Sequence, residues 1–304
     1  MQNIYTMMHT SQIRYSMMFF KLIRISHWSK NLFLFAPLFF SGQFTHIEKI
    51  STLVLGFFSF CFISSSVYIF NDIFDLNEDK HHLKKKSRPL ASGTIGVGRA
   101  AIISFLFFSA GLILALSLQK WFLCIVGMYV LLNIAYTLKL KEIALLDVCI
   151  IALGFVLRIL AGGILAEVIV SHWLVIMTFL LALFLAFAKR RDDVIILNNT
   201  GEKMRKSIHG YNLDFINSAI SILSAVLIVA YLLYTTTAEV TERFANKPVY
   251  VSALFVILGV LRYLQITLVN SNSGSPTRIL FTDRFIQLVI AAWILFFVSI
   301  IYLF

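Results

Sequence analysis

The sequence predicts an all-α membrane protein of about nine crossings. Three observations predict it: apolar runs long enough to span a bilayer, few charges, and a one-sided distribution of Lys and Arg. Hydrophobic residues make up 59% of the 304 positions and charged residues 13%, with a mean hydropathy of +0.86. Those values lie outside the usual range of water-soluble domains. A helix of about 20 apolar residues crosses a hydrocarbon core of about 30 Å. Such runs recur along the whole chain, which reads as one membrane domain over residues 1–304, with residues 1–20 as an N-terminal tail.

Taken in order, the expected spans are Asn31 to Gly42, Thr52 to Phe70, Ala101 to Ser117, Trp121 to Thr137 and Ile143 to Ala166. Trp173 to Ala188, Phe215 to Thr235, Val249 to Leu268 and Phe285 to Phe304 complete the nine. The first is short and contains Pro37, so it either extends back towards Trp28 or enters the bilayer with a kink. With a cytoplasmic N-terminus, all but six of the 26 Lys and Arg fall on the inner side. The exceptions are Lys49, Lys120, Arg243 and Lys247 outside, and Arg158 and Arg262 within spans. The positive-inside rule then gives a multi-pass protein of the inner, cytoplasmic membrane with its N-terminus in and its C-terminus out.

A formal charge of +11 raises nucleic acid as a partner, but the cations occupy loops at one bilayer face. Anionic lipid and phosphorylated substrates are the nearer partners there, and no nucleic acid is expected. Cys61, Cys124 and Cys149 lie inside apolar spans without metal-site spacing and read as small core residues. The N-terminal stretch lacks the charged, apolar and small-residue sequence of a removable signal peptide. Asn198-Asn199-Thr200 matches a glycosylation sequon on the side where that modification does not occur.

The chemistry gathers where the second span ends, in Asn71-Asp72-Ile73-Phe74-Asp75-Leu76-Asn77-Glu78-Asp79, followed by Arg88-Pro89-Leu90-Ala91-Ser92-Gly93. On a continuing helix Asp72, Asp75 and Asp79 share one face, and three like charges there repel unless cations hold them. Mg²⁺ suits the pattern, because it takes oxygen ligands and bridges carboxylates to substrate phosphates. The bland alternative is a solvated helix end whose acids answer the lysines that follow. A calcium loop starting at Asp75 fails, since Lys80 and Lys86 stand where it needs Gly and Glu. Arg158 lies about 15 residues into its span, roughly 20 Å, and should face the bundle interior, either as a structural partner for an interior acid or carbonyl or in contact with a substrate.

NDIFDLNEDK with SRPLASG resembles the first aspartate-rich motif, NDxxDxxxD, of the UbiA superfamily. Tyr136-Thr137-Leu138-Lys139 is similar to that family's YxxK element. Asp147 with Gly154 to Arg158 and Ala161-Gly162 resembles its fifth helix. The resemblance covers residues 20 to 300. It implies nine helices around a lipid-open cavity and a Mg²⁺-dependent transferase. Asp72, Asp75 and Asp79 would be its metal and catalytic residues, and Asn71, Tyr136, Lys139 and Arg158 would serve substrate. Without it, Tyr136 reads as an interfacial anchor and Lys139 as an ordinary inner-side lysine.

Typical members carry a second DxxxD motif, whereas the stretch after the sixth span reads Ala188-Lys189-Arg190-Arg191-Asp192-Asp193. Adjacent residues on a helix point about 100° apart, so at most one of the two acids serves a metal, and the cations suit phosphate. Trp28-Ser29-Lys30-Asn31 and Thr282-Asp283-Arg284 add to the resemblance to one branch, the decaprenyl-phosphate phosphoribosyltransferases. That branch implies phosphoribosyl diphosphate and a polyprenyl phosphate as substrates. Lys30, Arg88, Lys139, Lys189, Arg190 and Asp192 would then surround the phosphates. Two alternatives stand beside it. One is a prenyl transfer from a prenyl diphosphate to an aromatic acceptor, which a DxxxD would favour. The other is a transporter, which repeated spans broken by Gly or Pro would favour.

Overall fold

The computed structural model describes residues 16–81, 85–201, 206–244, 247–269 and 276–303. Among these the regular structure is helical, with no strand. Eight helices are long and apolar enough to cross a membrane: α2 (Ile47–Phe74), α4 (Val97–Leu116), α5 (Lys120–Leu138), α6 (Leu146–Ala166), α7 (His172–Thr200), α8 (Leu213–Thr235), α10 (Val249–Leu268) and α12 (Arg284–Leu303). Short helices α1 (Ala36–Phe40), α3 (Leu76–His81), α9 (Ala238–Arg243) and α11 (Pro276–Thr282) lie between them.

The expected first span takes an unexpected form. Ile25–Phe35 winds as a 3-10 helix and runs directly into α1, which carries Pro37 in its first turn. At its near end, Arg24 pairs with Asp72 close to the end of α2. At its far end, Gln43 Oε1 accepts from Lys49 Nζ at 2.6 Å near the start of α2, and the Phe44 amide donates to the Tyr302 hydroxyl at 3.3 Å. The segment therefore runs antiparallel to α2 along its length. A 3-10 helix rises about 2.0 Å per residue against about 1.5 Å in an α-helix. The two pieces together therefore cover on the order of 30 Å, a bilayer core.

The 3-10 winding also sorts the side chains, because residues three apart eclipse one another. Trp28, Asn31 and Leu34 form the ridge that faces the bundle, with Asn31 and Leu34 fully buried. Trp28 Nε1 donates to Ser65 Oγ at 3.0 Å. His27, Lys30 and Phe33 fall on the neighbouring ridge and stay partly exposed.

Two helices form the centre. The most apolar windows of α6 and α2 are 67% and 61% buried, against 17–33% for the other six, so the remainder line the lipid. Small residues set two close approaches: a Cβ on Gly162 of α6 would run into the Leu34 backbone, and one on Gly111 of α4 would press on the α2 backbone at Ser59 and Ile63. Core residues of α2, α5, α6 and the first segment form one apolar cluster, and α7, α8 and α10 contribute to a second. At the far face Tyr302 donates to the Phe39 carbonyl at 3.0 Å, tying the end of the chain to α1. Asp283 caps α12 through the Ile286 amide at 2.9 Å and binds Arg262 at 2.7 Å. Those hydrogen bonds hold its carboxyl below the usual carboxylate range, so the Thr282-Asp283-Arg284 element joins helices.

Helix α7 continues 12 residues beyond the expected end of the sixth span at Ala188. The KRRDD stretch, expected as a loop, is helical and mostly buried. Of the inner-side basic residues, Arg14, Lys84, Lys203 and Arg205 lie outside the described residues, as do His82, residues 1–15 and Phe304.

Two outcomes test this arrangement. Single cysteines at Ser87 and Thr241, in a background with the exposed Cys124 replaced by Ser, should label from opposite sides of sealed membranes. Labelling of both from one side overturns nine crossings. Gly162→Val should drive α6 off the first segment at a cost of about 3 kcal/mol or more, read as loss of monodisperse protein in detergent. Gly127→Val, at a position with open space around its Cβ, should be tolerated.

Candidate active site

The ends of α2, α5, α6 and α7 meet at one face, and the charged side chains of the sequence collect there. Arg88 joins the outer two aspartates. Its Nη1 donates to Asp72 Oδ1 at 2.9 Å and to Asp79 Oδ2 at 2.5 Å. Arg24 adds a second guanidinium to Asp72, and Lys85 Nζ stands 3.5 Å from Asp79 Oδ1. Asp72 and Asp79 are 3% and 1% exposed, so these cations offset a large desolvation cost. Arg24 reaches Asp72 from a left-handed backbone, φ 52°, an uncommon conformation for an arginine. It also lies over the Tyr68 ring at 4.8 Å.

Asp75 has different partners. Lys141 pairs with its Oδ1, and Asn71 Nδ2 donates to its Oδ2 at 3.0 Å. Asn71 in turn accepts from Thr137 Oγ1 at 3.1 Å. A single ligand face for the three aspartates presumed one continuous helix. Instead α2 ends at Phe74 and Asp75 leaves helical geometry, with ψ 5°, before α3 begins. Among the described residues no three His, Cys, Asp or Glu side chains gather closely enough to hold one ion. Asp72 and Asp79 remain a chemically suitable pair: both supply hard oxygen donors, a cation already bridges them, and Asp79 Oδ1 is buried without a hydrogen bond.

Arg158 is deep and buried, 12 residues after the start of α6. Its Nε donates to Asn31 Oδ1 at 2.7 Å, Nη1 to the Gly154 carbonyl at 2.7 Å and Nη2 to the Tyr129 hydroxyl at 3.0 Å. Phe60, Tyr129 and Phe155 present ring faces to it. It therefore knots the first segment, α5 and α6 through neutral partners.

Arg190, expected around the phosphates, is bound by two carboxylates of the protein. It is 2% exposed, with Nε on Asp147 Oδ2 at 2.6 Å and Nη1 on Asp193 Oδ2 at 2.9 Å. Asp147, fully buried, also accepts from Ser207 at 3.2 Å and from Tyr211 at 2.6 Å. Burial and that bond raise the Tyr211 hydroxyl well above its ordinary value. Arg190 thus joins α6 to α7. Arg191 binds Asn217 and the Thr267 carbonyl, and Asp192 is buried near Tyr263.

Lys189 projects to the exposed side of α7. Its charge acts on His27, as do those of Lys30, Arg24 and Arg88, so these groups share one cluster. Tyr136 lies between the fields of Lys30 and Arg190. Lys139 is exposed, while Lys141, two residues on, is the lysine buried against Asp75. Sequence reasoning missed Arg24, His27 and Lys141 as site residues. Arg24 and Lys141 looked like ordinary inner-side cations, and no spacing links either to its aspartate. Only the Trp28-Ser29-Lys30-Asn31 element pointed to that part of the site.

This arrangement has counterparts among known proteins. The chain is 28% identical over 284 residues to decaprenyl-phosphate phosphoribosyltransferase of Mycolicibacterium smegmatis, covering 90% of this chain and 89% of that one. With the Corynebacterium glutamicum protein of the same name it shares 27% over 287 residues, 93% and 86% of the two chains. In fold it is similar to a UbiA homolog from Archaeoglobus fulgidus solved with GPP and Mg²⁺, with a TM-score of 0.69 and 22% identity over 93% of this chain and 99% of that one. The model of the UbiA prenyltransferase family matches residues 32–196, a stretch that holds Asn31's neighbours in the first segment, the aspartates, Arg158 and Arg190, and the chain belongs to that family.

Proposed function

We propose that this protein transfers a 5-phosphoribosyl group from phosphoribosyl diphosphate to a polyprenyl phosphate in the membrane and releases pyrophosphate. The observation that carries this reading is the likeness, along about nine-tenths of both chains, to proteins named for that reaction. The charge of the site supports it. Arg24, Arg88 and Lys85 pair with Asp72 and Asp79, and two phosphorylated substrates need more cations than a single diphosphate with a neutral ring. The sorting of Lys and Arg supports a site at the cytoplasmic face.

Asp72 and Asp79 are the residues that would hold Mg²⁺, with Asp75 fixed by Lys141 and Asn71 as a positioning residue between them. The ion would neutralise the donor diphosphate and stabilise the departing pyrophosphate. Arg24 and Arg88 would exchange part of their bonding to carboxylate for phosphate oxygens, and Lys30 and Lys189 would steady the acceptor phosphate. An acceptor phosphate oxygen forms the new bond to the anomeric carbon. The bond from that carbon to pyrophosphate breaks, and its electron pair leaves with pyrophosphate through an oxocarbenium-like state. A phosphate monoester is already anionic near neutral pH, so no general base is needed; the positioned cations supply the stabilisation. Lys139 would act at the exposed rim, Tyr136 at the boundary between acceptor and scaffold, and Asp192 within the α7 packing.

Purified protein in detergent with Mg²⁺ should release pyrophosphate from phosphoribosyl diphosphate only when a polyprenyl phosphate is present. Turnover of a prenyl diphosphate with an aromatic acid instead would favour the aromatic prenyl transfer. Asp72→Asn should abolish turnover while inserted, monodisperse protein is retained. Retained activity across a Mg²⁺ titration would sink the proposed metal site. Arg88→Ala should raise the donor KM about tenfold to a hundredfold, the worth of a charge-assisted hydrogen bond. Arg190→Ala should instead lower thermal stability, since breaking a buried ion pair costs about 3 to 5 kcal/mol. A donor KM that moves in Arg190→Ala without loss of stability contradicts its scaffold role.

A further inference from the structure

Beside the Arg24–Asp72 pair, one histidine nitrogen, His27 Nδ1, is buried without a hydrogen bond, and the Tyr68 ring lies against its imidazole. The His27 ring meets the Tyr68 ring edge-on, with centroids 5.4 Å apart. Its Nδ1 is buried and unbonded. Tyr68 lies one helical turn before Asp72 on α2, so the two project from one face, and the Arg24 guanidinium covers its ring. The three-residue period of the 3-10 segment puts His27 on the same ridge as Lys30. Arg24, three residues before His27, pairs with Asp72 beside it. In its neutral form an imidazole offers one donor and one acceptor.

A buried polar atom is costly to leave unpaired, and the chemistry of this pair indicates what completes it. A phosphate oxygen only accepts and is served by the cations. A hydroxyl both donates and accepts, which matches a neutral imidazole beside a phenol. A hydrocarbon chain offers neither and would leave His27 Nδ1 unsatisfied. We propose that His27, with Tyr68 beside it, binds the ribose hydroxyls of the donor and so selects a sugar diphosphate over a prenyl diphosphate. This rests on the phosphoribosyl reading and names the residues that would give it specificity.

The test compares wild type, His27→Phe and His27→Gln in the full-length protein with Mg²⁺, using phosphoribosyl diphosphate, its 2-deoxyribose analogue and inorganic pyrophosphate. His27→Phe keeps the ring shape and removes the nitrogens. Its KM for phosphoribosyl diphosphate should rise about threefold to tenfold, the worth of one neutral hydrogen bond. Inhibition by pyrophosphate, which has no sugar, should be unchanged and shows that the variant is folded. Wild type should prefer the full donor to the deoxy analogue, His27→Phe should lose that preference, and His27→Gln should regain part of it. An unchanged preference in His27→Phe, or an equal weakening of pyrophosphate, overturns the role of His27 while leaving the phosphoribosyl reading intact. A wild type that turns over a prenyl diphosphate and not phosphoribosyl diphosphate overturns both.

Discussion

Negative charge at the end of an apolar helix has to be offset, and α2 closes on Asp72 and Asp75, with Asp79 four residues further on. Each of the three is at most 4% exposed, so water alone cannot carry the charge. The offset comes from three separate parts of the chain. Arg24 reaches in from before the first segment, Lys85 and Arg88 from the stretch after α3, and Lys141 from the turn after α5. Satisfying these carboxylates therefore pulls the inner ends of several helices to one point. The same ion pairs that hold the bundle together there leave a cluster ready to exchange carboxylate for phosphate.

The first segment depends on that cluster and on α6 together. Arg24 anchors its start, and Asn31 binds Arg158 nearly halfway along. The Leu34 carbonyl then packs on Gly162, where no side chain intervenes. Between those anchors the 3-10 winding stretches sixteen residues across the thickness of a bilayer core. It also turns His27 and Lys30 away from the buried ridge. Geometry that solves a length problem thus sets which side chains face the site.

The interior arginines divide by the charge of their partners. Arg190 meets two aspartates and joins α6 to α7, so its removal leaves a carboxylate buried beside two hydroxyls. Arg158 meets an amide, a carbonyl, a phenol and three aromatic faces. Both are bound by the protein itself, where the sequence offered substrate contact for both and a structural role for Arg158 as well. Residue type and depth alone do not distinguish a cation that waits for a phosphate from one already committed to the protein.

Local chemistry determined a great deal of this molecule. Apolar run length set the crossings, because a bilayer core has a fixed thickness and backbone groups must be bonded within it. The spacing of Lys and Arg set their grouping at one face, and the aspartate motif located the reacting region. What the tertiary structure decided was pairing. Lys141 instead of Lys139 meets Asp75, Asp147 claims Arg190, and Arg24 joins Arg88 on Asp72. Asp75, at the end of α2, takes Lys141 and Asn71 as partners while Arg88 bridges the other two aspartates. Periodicity fixes which residues share a face of one helix. Which charges meet across helices depends on where each helix ends and how far a long side chain reaches, and those follow only from the packed bundle.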